Sequence, residues 1–437
     1  MTTMSSRSVV AVAHVMPADV RNHLRALADA GLLRQLFTGY VYQPDRWLER
    51  CGRGCDRFLG TRIMRLLATR PEVLGVDSSD IVRVLLPEAA RFVSDSLPGS
   101  RSRWLNMCDR AQQRLSIVAA GRLRGTDRLV LAREFEAREV FERAATLGIP
   151  RVYQLPIAHY RMVDRVLRRE LEEYRDADFK VDLRVSAAPQ RNERKQRELE
   201  LANRIVVPSL FVKKSLIDAG VSEDKIYVLP FGTEEEWIVD SVSPKDSRLF
   251  LHVGQLSMRK GTHRLLRAWK RLGAHRACEL RLIGSMRLPP ALLADFQGTY
   301  NYLGRLARPL LREHFSAASC SVLPTLAEGF ALVILESLSC GTPIVASRNC
   351  GAEGFIQEGR EGLLHDAQDD EQLCEALEWM LTNPQRRAEM SHDCLKKARS
   401  WTWREYRSAF LKLVESGSLS QETSALVPAA AGFTGSE

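Results

Sequence analysis

From Arg128 onward the chain alternates short apolar, β-branched runs with amphipathic stretches of helical length. LVLA (129–132) is followed by a helical pattern over 134–147, and RVYQL (151–155) comes after Gly148, Ile149 and Pro150. The rhythm returns at RIVV (204–207), KIYVL (225–229), LFLHV (249–253), ELRLIG (279–284), CSVLP (320–324) and PIVAS (343–347). Strands separated by helices cannot pair through tight turns. They need crossovers, which place helices on both faces of a parallel sheet. The expected class is therefore α/β. A chain of 437 residues exceeds what one hydrophobic core serves, so two domains are expected.

The periodicity lapses over 238–247, where Ser, Asp and Pro collect as in a linker. This sets an N-terminal domain over 1–240 and a C-terminal domain over 241–402. A helix over 403–415 follows, and 416–437 has no pattern and reads as a disordered tail. Residues 1–125 fit the rhythm less clearly. Their first apolar run, 9–15, contains His14 and runs into Pro17, so it is too short for a signal peptide or a membrane span and reads as a buried strand.

Nine cysteines without paired spacing argue for reduced thiols and a cytoplasmic protein. Cys51 and Cys55 lie close together, but no second Cys or His pair follows at a zinc-like distance, so no metal site is expected. A net charge of +9 permits an acidic partner without choosing one. No nucleic-acid partner is expected. Residues 57–70, RFLGTRIMRLLATR, read as a helix with Arg57, Arg62 and Arg65 in one arc and Leu59, Ile63, Met64, Leu66 and Leu67 on most of the other side. Such a face suits the cytoplasmic surface of an anionic membrane, although packing on the N-terminal core with a solvated basic face is the plainer reading.

The most informative stretch is LPTLAEGFALVILESLSCGTPIVAS (323–347). Pro324 ends a strand, Glu328, Gly329 and Phe330 make a turn, and a helix from Ala331 to Ser339 stops at Gly341 and Pro343. Unsatisfied N–H groups and the helix dipole then favour a phosphate at the turn. Glu328 precedes the helix and Glu336 lies more than one turn into it, so one carboxylate can accept from a ribose and the other from a sugar hydroxyl. Two solvated glutamates on an ordinary turn and helix are the plain alternative.

Taken whole, this stretch resembles the nucleotide-sugar signature of the family 4 retaining glycosyltransferases, in which Glu, seven residues and Glu are followed by Gly-Thr-Pro and a short strand. LFLHVGQLSMRKGTHRLLRAW (249–269) resembles the family's strand, Gly loop and Lys-Gly turn. ANRIVVPSLFVKKSLIDAGVSEDKIYVLPFGTE (202–234) resembles the last elements of its N-terminal domain. EGREGLLHDAQD (358–369) and SWTWREY (400–406) resemble its late loop and its C-terminal helix. The likeness covers about 128–412. It implies two Rossmann-like domains facing across a cleft, the GT-B fold, with the C-terminal helix crossing back to the N-terminal domain.

It also implies a UDP- or GDP-linked sugar as co-substrate, no other cofactor, and hexosyl transfer with retention to an unidentified acceptor. Lys260 becomes the diphosphate cation, and Glu328 and His159 its catalytic companions. His159 lies on the loop after RVYQL, although a lone histidine there is more often structural. Gly254, Gln255, Arg259, Gly329, Phe330, Ala331 and Glu336 are the expected donor contacts, with base contacts near Gly284 and Tyr302. Retention is usually assigned to a front-face path that relies on oriented cations and backbone donors rather than a metal.

Two departures stand out. Gln255 occupies a position where the family commonly has an Arg, and a neutral amide cannot replace a guanidinium. Arg259 is the substitute charge. The first loop, HVMPADVRNHL (14–24), has no glycine before Gly31, which leaves His14 and His23 as acceptor-side candidates. These departures support a competing reading, a nucleotide-sugar-binding protein without catalysis. A dinucleotide-dependent oxidoreductase needs a Gly-x-Gly-x-x-Gly turn, and none is present.

Overall fold

A computed structural model describes residues 8–39, 75–84, 101–175, 189–243 and 245–415. The 57–70 stretch, Cys51, Cys55 and the 416–437 tail lie outside the described residues. Among the described residues, one compact unit takes the chain up to Leu155, the segment Glu193–Val206 and the residues from Arg407 on. The other takes the segment from Pro156 to Asn192 and Val207–Tyr406. This division does not coincide with the expected boundary near residue 240.

The first sheet has the order β3-β2-β1-β4-β5-β6-β7. Its strands are β1 Val9–Val12, β2 Leu33–Thr38, β3 Ile81–Arg83, β4 Leu129–Arg133, β5 Arg151–Gln154, β6 Arg204–Val207 and β7 Ile226–Val228. The helices described up to β7 are α1 Ala18–Asp29, α2 Arg101–Ala120, α3 Arg138–Thr146, α4 Tyr160–Glu173, α5 Pro189–Leu201 and α6 Leu210–Ile217. β1 is buried along its whole length, which is why it reads as an unbroken apolar run rather than an alternating one. α3 starts later than the pattern from 134 suggested. Phe135 has φ +72°, in the left-handed region, so the helix can begin only beyond it.

The second sheet has the order β10-β9-β8-β11-β12-β13. It contains β8 Asp246–Val253, β9 Glu279–Ile283, β10 Asn301–Gly304, β11 Ala318–Leu323, β12 Ile344–Ser347 and β13 Gly362–His365. Helices α7 Thr262–Arg271, α8 Pro290–Ala294, α9 Arg308–Ala317, α10 Leu332–Ser339, α11 Asp370–Thr382 and α12 Pro384–Ser400 connect and follow these strands, and α13 Trp403–Glu415 closes the described chain. Its core joins Phe250, Leu280, Leu282, Cys320, Val322 and Val345 of the sheet to Leu265, Trp269, Leu377 and Met390 of the helices. Every recorded register in both sheets is parallel.

The C-terminal helix does return to the first unit. Phe410 stacks on His23 with ring centroids 3.9 Å apart, and Arg407 donates to the Asn22 side chain at 2.8 Å. In each sheet the strand order reverses once, between β1 and β4 and between β8 and β11. Open parallel sheets bind ligands outside the carboxyl ends of the strands at such a reversal.

Candidate functional site

In the second unit the reversal lies between the loop after β8 (254–261) and the loop after β11 (324–331). Lys260 Nζ and Arg259 Nη1 each lie 2.5 Å from Glu328 Oε2. The Arg259 guanidinium also donates to the Ala327 carbonyl at 2.9 Å, and its own carbonyl accepts from the Leu326 N–H at 2.9 Å. The two loops are thereby joined edge to edge. Burial pushes the Glu328 carboxyl up, but the charges and hydrogen bonds of Lys260 and Arg259 outweigh it and hold the group below its ordinary value. Arg259 thus turns inward beside Lys260, whereas Gln255 is exposed.

The turn after Glu328 is built for close approach. A Cβ on Gly329 would collide with the Pro156 carbonyl oxygen, so only glycine fits there. Ser209 caps α6 through the Val212 N–H at 3.3 Å and donates to the Gly329 carbonyl at 2.6 Å. Phe330 packs between Phe231 and Phe355, with centroids at 5.6 and 5.3 Å. The Glu328 N–H is held by the Asn349 carbonyl at 3.0 Å and the Ala331 N–H by the Cys350 carbonyl at 2.8 Å. The N–H groups of Gly329, Phe330, Leu332 and Val333 have no acceptor among the described residues. α10 begins at Leu332, one residue after the position the sequence suggested, and has no side-chain cap.

Glu336 is half-buried on α10 and makes no hydrogen bond or ion pair among the described residues. Burial raises its pKa to about 7, against the pull of Arg308 and with a further push from Glu234. Gly254 and Gly284 lie side by side at the ends of β8 and β9, and a Cβ on Gly284 would strike the Gly254 carbonyl oxygen. Tyr302 is 43% exposed and donates to the Gly284 carbonyl at 3.0 Å, presenting a ring at the same edge.

His159 is buried and is the N-cap of α4, its Nδ1 accepting the Arg161 N–H at 3.4 Å while its own N–H donates to Ser215 at 2.9 Å. Its loop reaches the Gly329 turn through Pro156 and Ile157. In the first unit His23 is buried against Phe410, and burial lowers its pKa to about 3. His14 is also buried, in the first unit near Glu136. Sequence reasoning missed Ser209 and Asn349, which shape the turn from outside its motif, and read Pro156 only as the break between a strand and the His159 loop. Ser209 carried a signal, since a Pro-Ser pair before an apolar run marks a helix start.

The family model described as glycosyl transferases group 1 matches residues 233–401, the stretch that carries both loops. The chain is similar to the D-inositol 3-phosphate glycosyltransferase of Thermobispora bispora, 31% identical over 175 residues, 37% of this chain and 41% of that protein. A protein of the same description from Paenarthrobacter aurescens is 28% identical over 236 residues, 49% of this chain and 57% of that one. The chain thus spans from about two fifths to three fifths of the length of these curated relatives.

Solved structures extend the fold likeness over nearly the whole chain. Sucrose-phosphate synthase from Thermosynechococcus elongatus gives a TM-score of 0.59 at 18% identity, covering 93% of this chain and 98% of that one. Anabaena HepE, solved in complex with UDP, gives 0.57 at 14% identity, covering 94% and 100%. The fold is that of the GT-B glycosyltransferases. Among the described residues no helix is long and apolar enough to cross a membrane.

Proposed function

We propose that this chain transfers a hexosyl unit from a nucleotide-diphosphate sugar to an acceptor with retention of anomeric configuration. The observation that carries the reading is the meeting of Lys260 and Arg259 beside a turn with four N–H groups unengaged among the described residues, at the strand reversal of the second unit. Two cations and several backbone donors suit a diphosphate, whose charge grows as the sugar departs. In that step the bond from the anomeric carbon to the β-phosphate oxygen breaks and a bond to the acceptor oxygen forms on the same face. The acceptor's proton passes to the leaving phosphate oxygen. Lys260 and Arg259 meet the developing charge, so this chemistry has no need of a divalent cation.

Glu336 is assigned to a ribose hydroxyl, because a half-buried carboxyl without a partner among the described residues gains most from a ligand donor. Glu328 orients the transferred sugar and sets the reach of the two cations. Tyr302 and the Gly254 and Gly284 backbone flank the base. UDP is the first nucleotide to try, since HepE has been solved with UDP and with UDP-glucose. D-inositol 3-phosphate, from the names of the relatives, is the first acceptor. A nucleotide-sugar-binding protein without catalysis is the second reading; the exposed Gln255 raises it, and relatives named as glycosyltransferases weigh against it.

The test is a thermal-shift panel of UDP- and GDP-sugars, followed by donor consumption and an NMR assignment of the product anomer. A donor that raises the melting point identifies base and sugar together. Binding without turnover on any acceptor supports the second reading. A product of inverted configuration, or no nucleotide sugar that binds, sinks the first.

A further inference from the structure

The helix α4 precedes β6 in the chain but belongs to the second unit, and it lies beneath both loops of the candidate site. Val166 and Leu167 are buried against Met258 and Leu326, with Met162, Val163 and Leu171 packed around them. Met258 immediately precedes Arg259. Leu326 lies two residues before Glu328, and its N–H is the one bonded to the Arg259 carbonyl.

At its far end the same helix takes hold of α7. Glu170, wholly buried, accepts from Arg264 Nε at 2.7 Å and Nη2 at 2.8 Å, and also meets His263. Gln368 donates to it at 3.0 Å, and Arg264 continues to Glu173 at 2.5 Å and Asp370 at 2.7 Å. His263 and Arg264 are the second and third residues of α7. One helix therefore grips the cation loop on both sides, at Met258 before Arg259 and at His263 and Arg264 after Lys260. Only four residues lie between the two grips. A buried carboxylate in a bidentate pair is costly to desolvate where apolar residues would pack as well; what it adds is direction.

We propose that Glu170 is a positioning residue for the diphosphate, fixing through His263 and Arg264 where Arg259 and Lys260 stand. The inference rests on the donor-site reading above. Misplacing a charge-bearing loop by a fraction of an ångström weakens contacts to the outer phosphate first and contacts to the nucleoside least.

The experiment measures binding of UDP and UMP, and of GDP and GMP, to the full chain carrying Glu170→Gln, Leu167→Ala or Lys260→Ala. Leu167→Ala loosens α4 over Met258 and Leu326 without touching a charge, so it serves if Glu170→Gln folds poorly. We expect each of these two variants to lower the preference for diphosphate over monophosphate, by about tenfold for Glu170→Gln, while the monophosphate binds as in the parent. A structural role alone would weaken both nucleotides together. Equal loss for both, or an unchanged preference in a folded variant, overturns the inference. If Lys260→Ala abolishes the preference and Glu170→Gln leaves it intact, only the inference falls. If Lys260→Ala also leaves it intact, the donor-site reading falls with it.

Discussion

The two units offer the same local device at their strand reversals, a parallel strand whose carboxyl end turns into a helix, and they treat its exposed N–H groups in opposite ways. After β4 the donors are consumed by the protein itself. Glu198 accepts from the Phe135, Ala137 and Arg138 N–H groups at 2.8, 3.2 and 3.2 Å and from the Tyr153 hydroxyl at 3.0 Å. Arg194 adds a countercharge at 3.2 Å. After β11 no carboxylate among the described residues fills the turn, and Glu328 points instead to two cations. A helix start that is already capped has nothing left for an anionic ligand, and the uncapped one attracts it. The difference supports the proposed diphosphate site in the second unit on physical grounds independent of any motif.

That contrast can be broken most sharply at Lys260. Lys260→Ala should lower kcat by a factor of about 10²–10³, the scale of losing one charge-stabilising donor, with an unchanged melting temperature. Steady-state rates beside a melting curve decide it. Glu198→Ala should do the reverse. Leaving three N–H groups unpaired should cost roughly 3 kcal/mol in denaturant unfolding, while nucleotide affinity stays as in the parent. Loss of nucleotide binding in that variant would mean that the first junction also serves the donor. Burial raises the folded pKa of Glu198 from 4.5 to about 7, so the folded state keeps a proton that the unfolded state releases. Its contribution is therefore present at low pH and is lost as pH rises from 4.5 towards 7, and Glu198→Gln should flatten that part of the stability profile.

A smaller effect belongs to Glu328. Glu328→Gln removes a negative charge from between two cations, so UDP should bind a few-fold more tightly while turnover drops. Weaker UDP binding in calorimetry would show that the carboxylate orders the cations rather than competing for them. The smallest effect is expected at Glu336. With a pKa of about 7 it is neutral below that pH and ionised above, and the ionised form is the better acceptor for a ribose hydroxyl. Donor affinity should therefore rise by a factor of about five as pH passes through 7, and Glu336→Gln should lack that step. Parallel pH profiles for the two proteins would remove Glu336 from the ribose.

Much of this architecture was legible in the chain. The runs at 129–132, 151–155, 204–207, 225–229, 249–253, 279–284, 320–324 and 343–347 all became strands, because buried parallel strands leave continuous apolar text. β10, Asn301–Gly304, escaped notice because it is an edge strand with two exposed residues. β13, GLLH, is the other edge and was read as part of a late loop. The meeting of Arg259, Lys260 and Glu328 was legible as two motifs, though their contact depends on strand order that no local pattern states. Pro156 against Gly329 and Glu170 under the cation loop were not legible at all. They join residues 173 and 94 positions apart, the first through close backbone approach and the second through a buried ion pair.

The helix α13 carries a consequence for synthesis. Its residues from Arg407 on complete the first unit, and the Arg407–Asn22 bond joins positions 385 residues apart. A chain leaving the ribosome can assemble β1, β4 and β5 early, but His23 must wait for Phe410 until the stretch Val207–Tyr406 of the second unit has been translated. The unit begun first is thus finished only after that stretch, and a ribosome stalled before residue 407 would hold a nascent chain whose opening unit still exposes the apolar seat of α13.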